Sequence, residues 1–229
     1  MQTALRNYSE AFIRLIYPAH CGACLAFLEL EEENICGNCK TELARLPFAA
    51  DQALASKRFE FLDDAWSVYP YESPVKEILS AIKFSRKKWL TGVFAEEIQN
   101  IAALMASETT YDAIIPVPLD GLRLMEREFN QAELMARNIA KKIQTPVRSG
   151  LLRKIARTGP QSSLGQKERQ INLYGAFKVA KKLPGRNFLL VDDILTTGAT
   201  AEEAARVLKK AGAARVDLLT AARTRLENS

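Results

Sequence analysis

A single histidine, His20, is all that the 229-residue chain carries. That scarcity excludes catalytic or metal centres that need several imidazoles. Long apolar runs are also missing. None approaches the roughly 18–20 residues needed to cross a bilayer, so no membrane insertion is expected. No cysteine lies beyond residue 39, and neither an internal repeat nor a low-complexity tract appears. The first 17 residues hold no uninterrupted apolar stretch, because Arg6, Glu10 and Arg14 break the pattern. A secretory signal is therefore not expected, and the expected location is the cytoplasm.

What is present is unevenly spread. The net charge is +5, yet residues 1–80 hold 7 Lys/Arg against 12 Asp/Glu, and residues 141–186 hold 12 Lys/Arg against Glu168 alone. A cationic block of this kind suits a polyanionic partner, either a pyrophosphate or a nucleic-acid backbone. A solvated basic face is the other reading.

The four cysteines, Cys21, Cys24, Cys36 and Cys39, are spaced C-x2-C-x11-C-x2-C. Each C-x-x-C pair can present two thiolates through one tight turn, and two such knuckles complete a closed tetrahedral zinc site. Disulfides are disfavoured in a cytoplasmic chain, and a redox centre would need only one pair. The expected role is structural: a metal that organises a knuckle lacking a core of its own. His20 adjoins Cys21 and reads as a surface histidine rather than a spare ligand.

Leu5, Tyr8, Phe12, Leu15 and Ile16 recur at helical spacing and predict an amphipathic first helix that Pro18 ends. An acid-rich connection leads to a strand over Ala65 to Tyr71. Pro74 opens a helix to about Phe84, and another helix is expected over Trp89 to Ala106. Strand and helix then alternate. A strand spans Ala113 to Val117, a helix Leu122 to Ile143, and a short strand Thr145 to Arg148. Residues 150–175 read as a long functional loop. A buried strand over Phe188 to Val191, a helix over Thr200 to Ala211 with Gly212 at its cap, and a strand over Val216 to Thr220 follow. This order predicts an α/β fold with a central parallel sheet flanked by helices. The expected division is residues 1–47 for the helix and cysteine knuckle and 60–226 for the sheet domain.

The segment Phe188 to Thr200 concentrates the chemistry. Four apolar residues form a strand, and Asp192 and Asp193 follow where open α/β sheets bind ligands. Thr196, Thr197, Gly198, Ala199 and Thr200 then lead into a helix, whose N-terminal amides make an anion site. Carboxylates repel a phosphate but suit sugar hydroxyls or a divalent cation. The segment therefore asks for a ligand with an anionic end and vicinal hydroxyls, as a ribose 5-phosphate has. A solvated acidic turn capped by Thr200 is the plainer reading, and it leaves the combination unexplained.

On these residues the chain resembles the type I phosphoribosyltransferases, whose signature is an apolar strand, an acidic pair and a Thr-x-Gly-x-Thr-like loop. Almost end to end it also resembles the ComF/GntX family, bacterial proteins linked to natural competence and DNA uptake. That likeness rests on the cysteine knuckles, Pro116-Val117-Pro118 and Arg127-Glu128-Phe129-Asn130-Gln131. It extends to Gln161, Arg169, Asn172 and Gly175-Ala176-Phe177. The family usually has Gly where this chain has Glu128. The resemblance implies a type I phosphoribosyltransferase fold with an N-terminal zinc ribbon. It further implies that Asp192 and Asp193 hold the ribose hydroxyls of 5-phosphoribosyl-1-pyrophosphate (PRPP) and help place Mg²⁺, while Thr196 to Thr200 wrap the 5-phosphate.

By the same resemblance the loop after Pro118 faces the pyrophosphate, with Arg123 or Arg127 as cation. The basic loop around Arg153, Arg157, Gln161 and Arg169 takes the place of a mobile hood. Lys83, Arg86, Lys87 and Lys88 form a second basic cluster. Two functions follow as expectations. One is a PRPP-binding protein that handles single-stranded DNA, with DNA-uptake proteins as partners and Phe84, Trp89 and Phe177 as base contacts. The other is an active transferase with an unknown acceptor.

Overall fold

The computed structural model describes residues 18–46, 59–155 and 174–224. The first predicted helix, Arg157, Gln161 and Arg169 lie outside them. The cysteine region ends in helix α1 (Gly37–Arg45). Strand β1 (Asp64–Pro70) follows, then α2 (Val75–Phe84), a 3-10 helix (Lys88–Phe94) and α3 (Ala95–Glu108). Strand β2 (Ala113–Pro116) leads to α4 (Gly121–Arg127) and α5 (Gln131–Ile143). Strands β3 (Leu152–Lys154) and β4 (Phe177–Val179) form an antiparallel hairpin. Strand β5 (Asn187–Leu195), α6 (Ala199–Lys210) and β6 (Arg215–Arg223) close the described chain.

The central sheet has the order β1-β6-β5-β2, and every pairing in it is parallel. Parallel strands covered on both faces are largely apolar, as β5 is over Phe188–Val191 and β6 is between its ends apart from Asp217 and Thr220. Side chains alternate across the sheet, so Leu189, Val191 and Leu219 enter one core with Ile78, Phe94, Ile98 and Met135. Phe188, Leu190 and Leu218 enter the other with Ala204, Ala205, Leu208 and Phe177. The cysteine knuckle shares the first core, through Cys21, Leu28, Cys39 and Leu43.

Five elements differ from the sequence expectation: the helix expected over Trp89 to Ala106 is the 3-10 helix followed by α3, residues 152–154 of the expected 150–175 loop form β3, and three more follow. The helix expected over Leu122 to Ile143 is two helices, broken at Glu128, which stands left-handed at φ 66°. Asn130 then restarts the chain as an N-cap, accepting the Ala132 N–H at 3.0 Å. The strand expected to end at Val191 continues to Leu195, because Asp192 and Ile194 pair with Thr220 and Ala222 of β6. Thr145 to Arg148 contributes a single parallel bridge, Ile114 to Val147, outside β2.

Candidate functional site

The connections place the site. From β2 the chain passes outward to the Val147 bridge, while from β5 it passes through α6 to β6 on the opposite side. The strand order therefore reverses between β2 and β5, and their carboxyl ends leave the crevice where such sheets bind ligands. Val117 at the end of β2 donates its N–H to the Val191 carbonyl at 2.9 Å, so Pro118 and Asp192 begin at one level.

Both expected carboxylates are in β5, and the period of two sends them to opposite faces. Asp193 is buried on the side of α2 and α5. Lys83 Nζ stands 2.9 Å from its Oδ2, and Gln131 Nε2 donates to the same oxygen at 2.7 Å. Its charge is already balanced inside the fold. Asp192 is half-buried on the other face, lining a notch with Thr196, Gly198, Thr200 and Thr220. Burial, then the nearby Asp193 carboxylate, pushes the Asp192 carboxyl up to about 7. Its Oδ1 accepts the Asp193 N–H at 2.8 Å.

The notch measures about 30 Å³. One water needs roughly 10–15 Å³, so the space has room for about two or three oxygen-sized atoms and excludes a sugar ring. Gly198 is the N-cap of α6 at φ 81° and has no side chain to cap the helix; at this end the Ala199 N–H donates to Thr197 Oγ1 at a long 3.4 Å. The helix therefore presents its N-terminal amides and positive dipole end at the notch. Only glycine fits there. A Cβ at 198 would lie 2.3 Å from the Phe59 ring, and its φ is one that other side chains rarely adopt. Glu202, in the first turn of α6, fixes that ring's segment by accepting the N–H groups of Glu60 at 2.6 Å and Phe61 at 2.9 Å.

Two charged residues on the β2 side had escaped sequence reasoning. Asp120 caps α4 by accepting the Arg123 N–H at 2.9 Å, and the Lys154 ammonium lies 3.7 Å from its Oδ2. Burial works against the Asp120 carboxylate, but the Arg123 N–H and Lys154 outweigh it and hold its carboxyl low. Burial likewise pushes Lys154 down, partly offset by Asp120. Lys154 also acts on Asp192, favouring its charged form. The available signal was its place two residues after buried Leu152 on one strand, which turns both inward. Arg153 is exposed. Arg127 holds its guanidinium 6.0 Å over the Phe84 ring.

A larger cleft of about 790 Å³ flanks α6, lined by Phe59, Phe61, Tyr174 and Arg206. Two of its cations are already partnered, Arg206 with Glu203 at 2.7 Å and Lys209 with Asp63 at 2.6 Å, while Lys210 on its rim is exposed. It meets the notch at Gly198, which lines both.

The four cysteine sulfurs lie within 4.8 Å of one another. Cys24 Sγ and Cys36 Sγ are 3.6 Å apart, and all four thiols are free. A tetrahedron with Zn–S bonds of roughly 2.3 Å has S–S edges of about 3.8 Å, so the set fits a metal ion such as zinc. Burial, then the neighbouring Cys24, Cys36 and Cys21 sulfurs, push the Cys39 thiol up. Four thiolates this close need a cation between them. His20 is exposed and stacks on Phe27, with ring centroids 4.9 Å apart. Gly22 packs so closely on Leu90 of the 3-10 helix that a Cβ would meet its Cδ2 at 2.5 Å.

Comparison with known proteins agrees with this architecture. Residues 95–227 match the phosphoribosyl transferase domain model. Competence protein F of Haemophilus influenzae is 27% identical over 221 residues, covering 89% of this chain and 96% of that protein. The DNA utilization protein YhgH of Salmonella typhimurium is 29% identical over 227 residues, covering 92% and 99%. YhgH of Shigella flexneri is 31% identical over 162 residues, covering 69% and 71%. With that match over more than half its length, and with relatives aligned across the cysteine region as well, the chain belongs to the phosphoribosyl transferase domain family, in its ComF branch.

Proposed function

We propose that this protein binds PRPP with Mg²⁺ at the carboxyl end of β5 and handles single-stranded DNA during natural competence and DNA uptake. The observation that carries the ligand reading is the notch at the strand reversal, where Asp192 meets an uncapped helix N-terminus across Gly198. The helix end and the hydroxyls of Thr196, Thr197 and Thr200 take the 5-phosphate. Asp192 accepts from ribose hydroxyls. Lys154 and Arg123 face the pyrophosphate, and Arg169 is a further cation for it. Mg²⁺, when bound with the ligand, neutralises pyrophosphate charge. Asp193 acts at one remove, by its charge on Asp192 and its hold on α2 and α5.

The relatives' names support the DNA role, and the positive block at residues 141–186 supports a polyanionic partner. The cysteine set holds Zn²⁺ as a closed structural centre within residues 1–47, and residues 60–226 form the transferase-like unit. The protein works in the cytoplasm, with DNA-uptake proteins as partners. Equilibrium dialysis against radiolabelled PRPP, with and without Mg²⁺, tests the ligand reading. Saturable retention that needs Mg²⁺ supports it, and no retention at millimolar ligand refutes it.

A further inference from the structure

The second basic cluster does not behave as one unit. Lys83 turns inward to Asp193, while the next six residues, Phe84-Ser85-Arg86-Lys87-Lys88-Trp89, run along the surface. Phe84 is 79% exposed and Trp89 57% exposed. Two large rings in water on one short segment, with three cations between them, are costly unless something covers them. Among the described residues, neither Lys87 nor Lys88 is in an ion pair with a carboxylate, whereas Arg86 is held by Glu128.

Helix α4 lies against this segment through the Arg127 guanidinium over the Phe84 ring and through the Arg86–Glu128 pair. None of its seven residues is buried, and Leu122 and Met125 are 75% and 78% exposed. The helix is capped and formed, yet its apolar side chains find no cover within the described chain. Phe177, by contrast, is buried at 3% in the second core and offers no face to a base.

We propose that Phe84 to Trp89, with Arg127 of α4, is the surface on which this protein holds single-stranded nucleic acid. The inference rests on the DNA-handling reading above and names its interface. Rings interleaved with cations fit a chain of stacked bases on a phosphate backbone. A duplex hides its base faces, so it gains the charge but not the stacking. A purely apolar partner would leave Lys87 and Lys88 without a counter-charge. The surface reaches β5 from the face opposite the notch, where Lys83, one residue before Phe84, pairs with Asp193, the neighbour of Asp192 in the strand.

The test is fluorescence anisotropy of labelled oligo-dT of 20 nucleotides, and of the same strand in a duplex, with full-length zinc-loaded protein. Phe84→Ala/Trp89→Ala should weaken single-strand binding by about 10- to 100-fold, with duplex binding changed far less. Lys87→Gln/Lys88→Gln should reduce the slope of log affinity against log salt by about 1.4, at roughly 0.7 per phosphate contact. Both variants should keep their melting temperature and their PRPP binding. Wild-type affinity for single strands that the folded aromatic variant retains in full would overturn this surface and leave the DNA reading standing. Wild-type protein that binds no single strand at 50 mM salt would overturn both. Unchanged DNA binding with loss of a wild-type dimer in sedimentation would reassign the patch to a second copy of this chain.

Discussion

Lys83 Nζ and Asp193 Oδ2, 110 positions apart in the chain, lie 2.9 Å from each other beneath the site. Gln131 Nε2 donates to the same oxygen at 2.7 Å, so α2, α5 and β5 are tied at one carboxylate. This makes the adjacent acids unequal. Asp193 is a strut whose charge is satisfied, and Asp192 is the one that lines the notch.

Removing one partner from a buried ion pair strands the other charge. Lys83→Met should therefore destabilise the fold by about 2–3 kcal/mol, somewhat below the cost of a fully buried pair because Lys83 keeps some exposure. Urea unfolding near pH 7 checks it. Gln131→Leu should cost less, since Lys83 remains.

Asp192 gives the opposite stability result and a pH signature. Its folded pKa of about 7 is above that of an unfolded aspartate. Its neutral form is thus favoured in the fold, and the associated stability is fully present below pH 4 and lost as pH rises through 7. Relative to Asp192→Asn, the ligand-free wild type should lose stability between about pH 4 and 7 and change little above that. Ligand affinity should rise around pH 7, as the charged carboxylate becomes available to hydroxyls or Mg²⁺, and the Asn variant should lack that component. Parallel melting and calorimetric pH series read both.

Much of this was legible in the residues. The cysteine spacing, the strand–helix alternation and the loop from Thr196 to Thr200 each carry a local physical cause. Strand extension past Val191 was not, because Asp192 joins the sheet through pairing with Thr220, a residue 28 positions away. The break at Glu128 was hidden in a helical pattern that continues through it. Lys154 was hidden in a basic run whose other members differ only in which way the strand turns them.

Glu128 occupies a backbone conformation that costs a side chain roughly 1–2 kcal/mol relative to glycine. Its exposed pair with Arg86 returns less than about 1 kcal/mol. Glu128→Gly should therefore stabilise the protein by up to about 1 kcal/mol, and thermal unfolding would detect a higher midpoint.

The metal knuckle is packed into the first core, so its loss should spread. Stripping the metal with a chelator, or Cys39→Ser, should lower the melting temperature of the whole chain by more than 5 °C rather than release a separate segment. Gly22→Ala should do the same at constant metal content, since its methyl would meet Leu90. Metal analysis alongside calorimetric melting separates the two routes.

The most direct measurement is calorimetric titration of PRPP with Mg²⁺ into wild-type, Asp192→Asn and Lys83→Met proteins at pH 7.5. The expected result is saturable wild-type binding that falls at least tenfold in the stable Asp192→Asn variant, with Lys83→Met affected mainly through its stability. Undiminished binding by Asp192→Asn, or none by the folded wild type, would contradict a sugar-phosphate site at the end of β5.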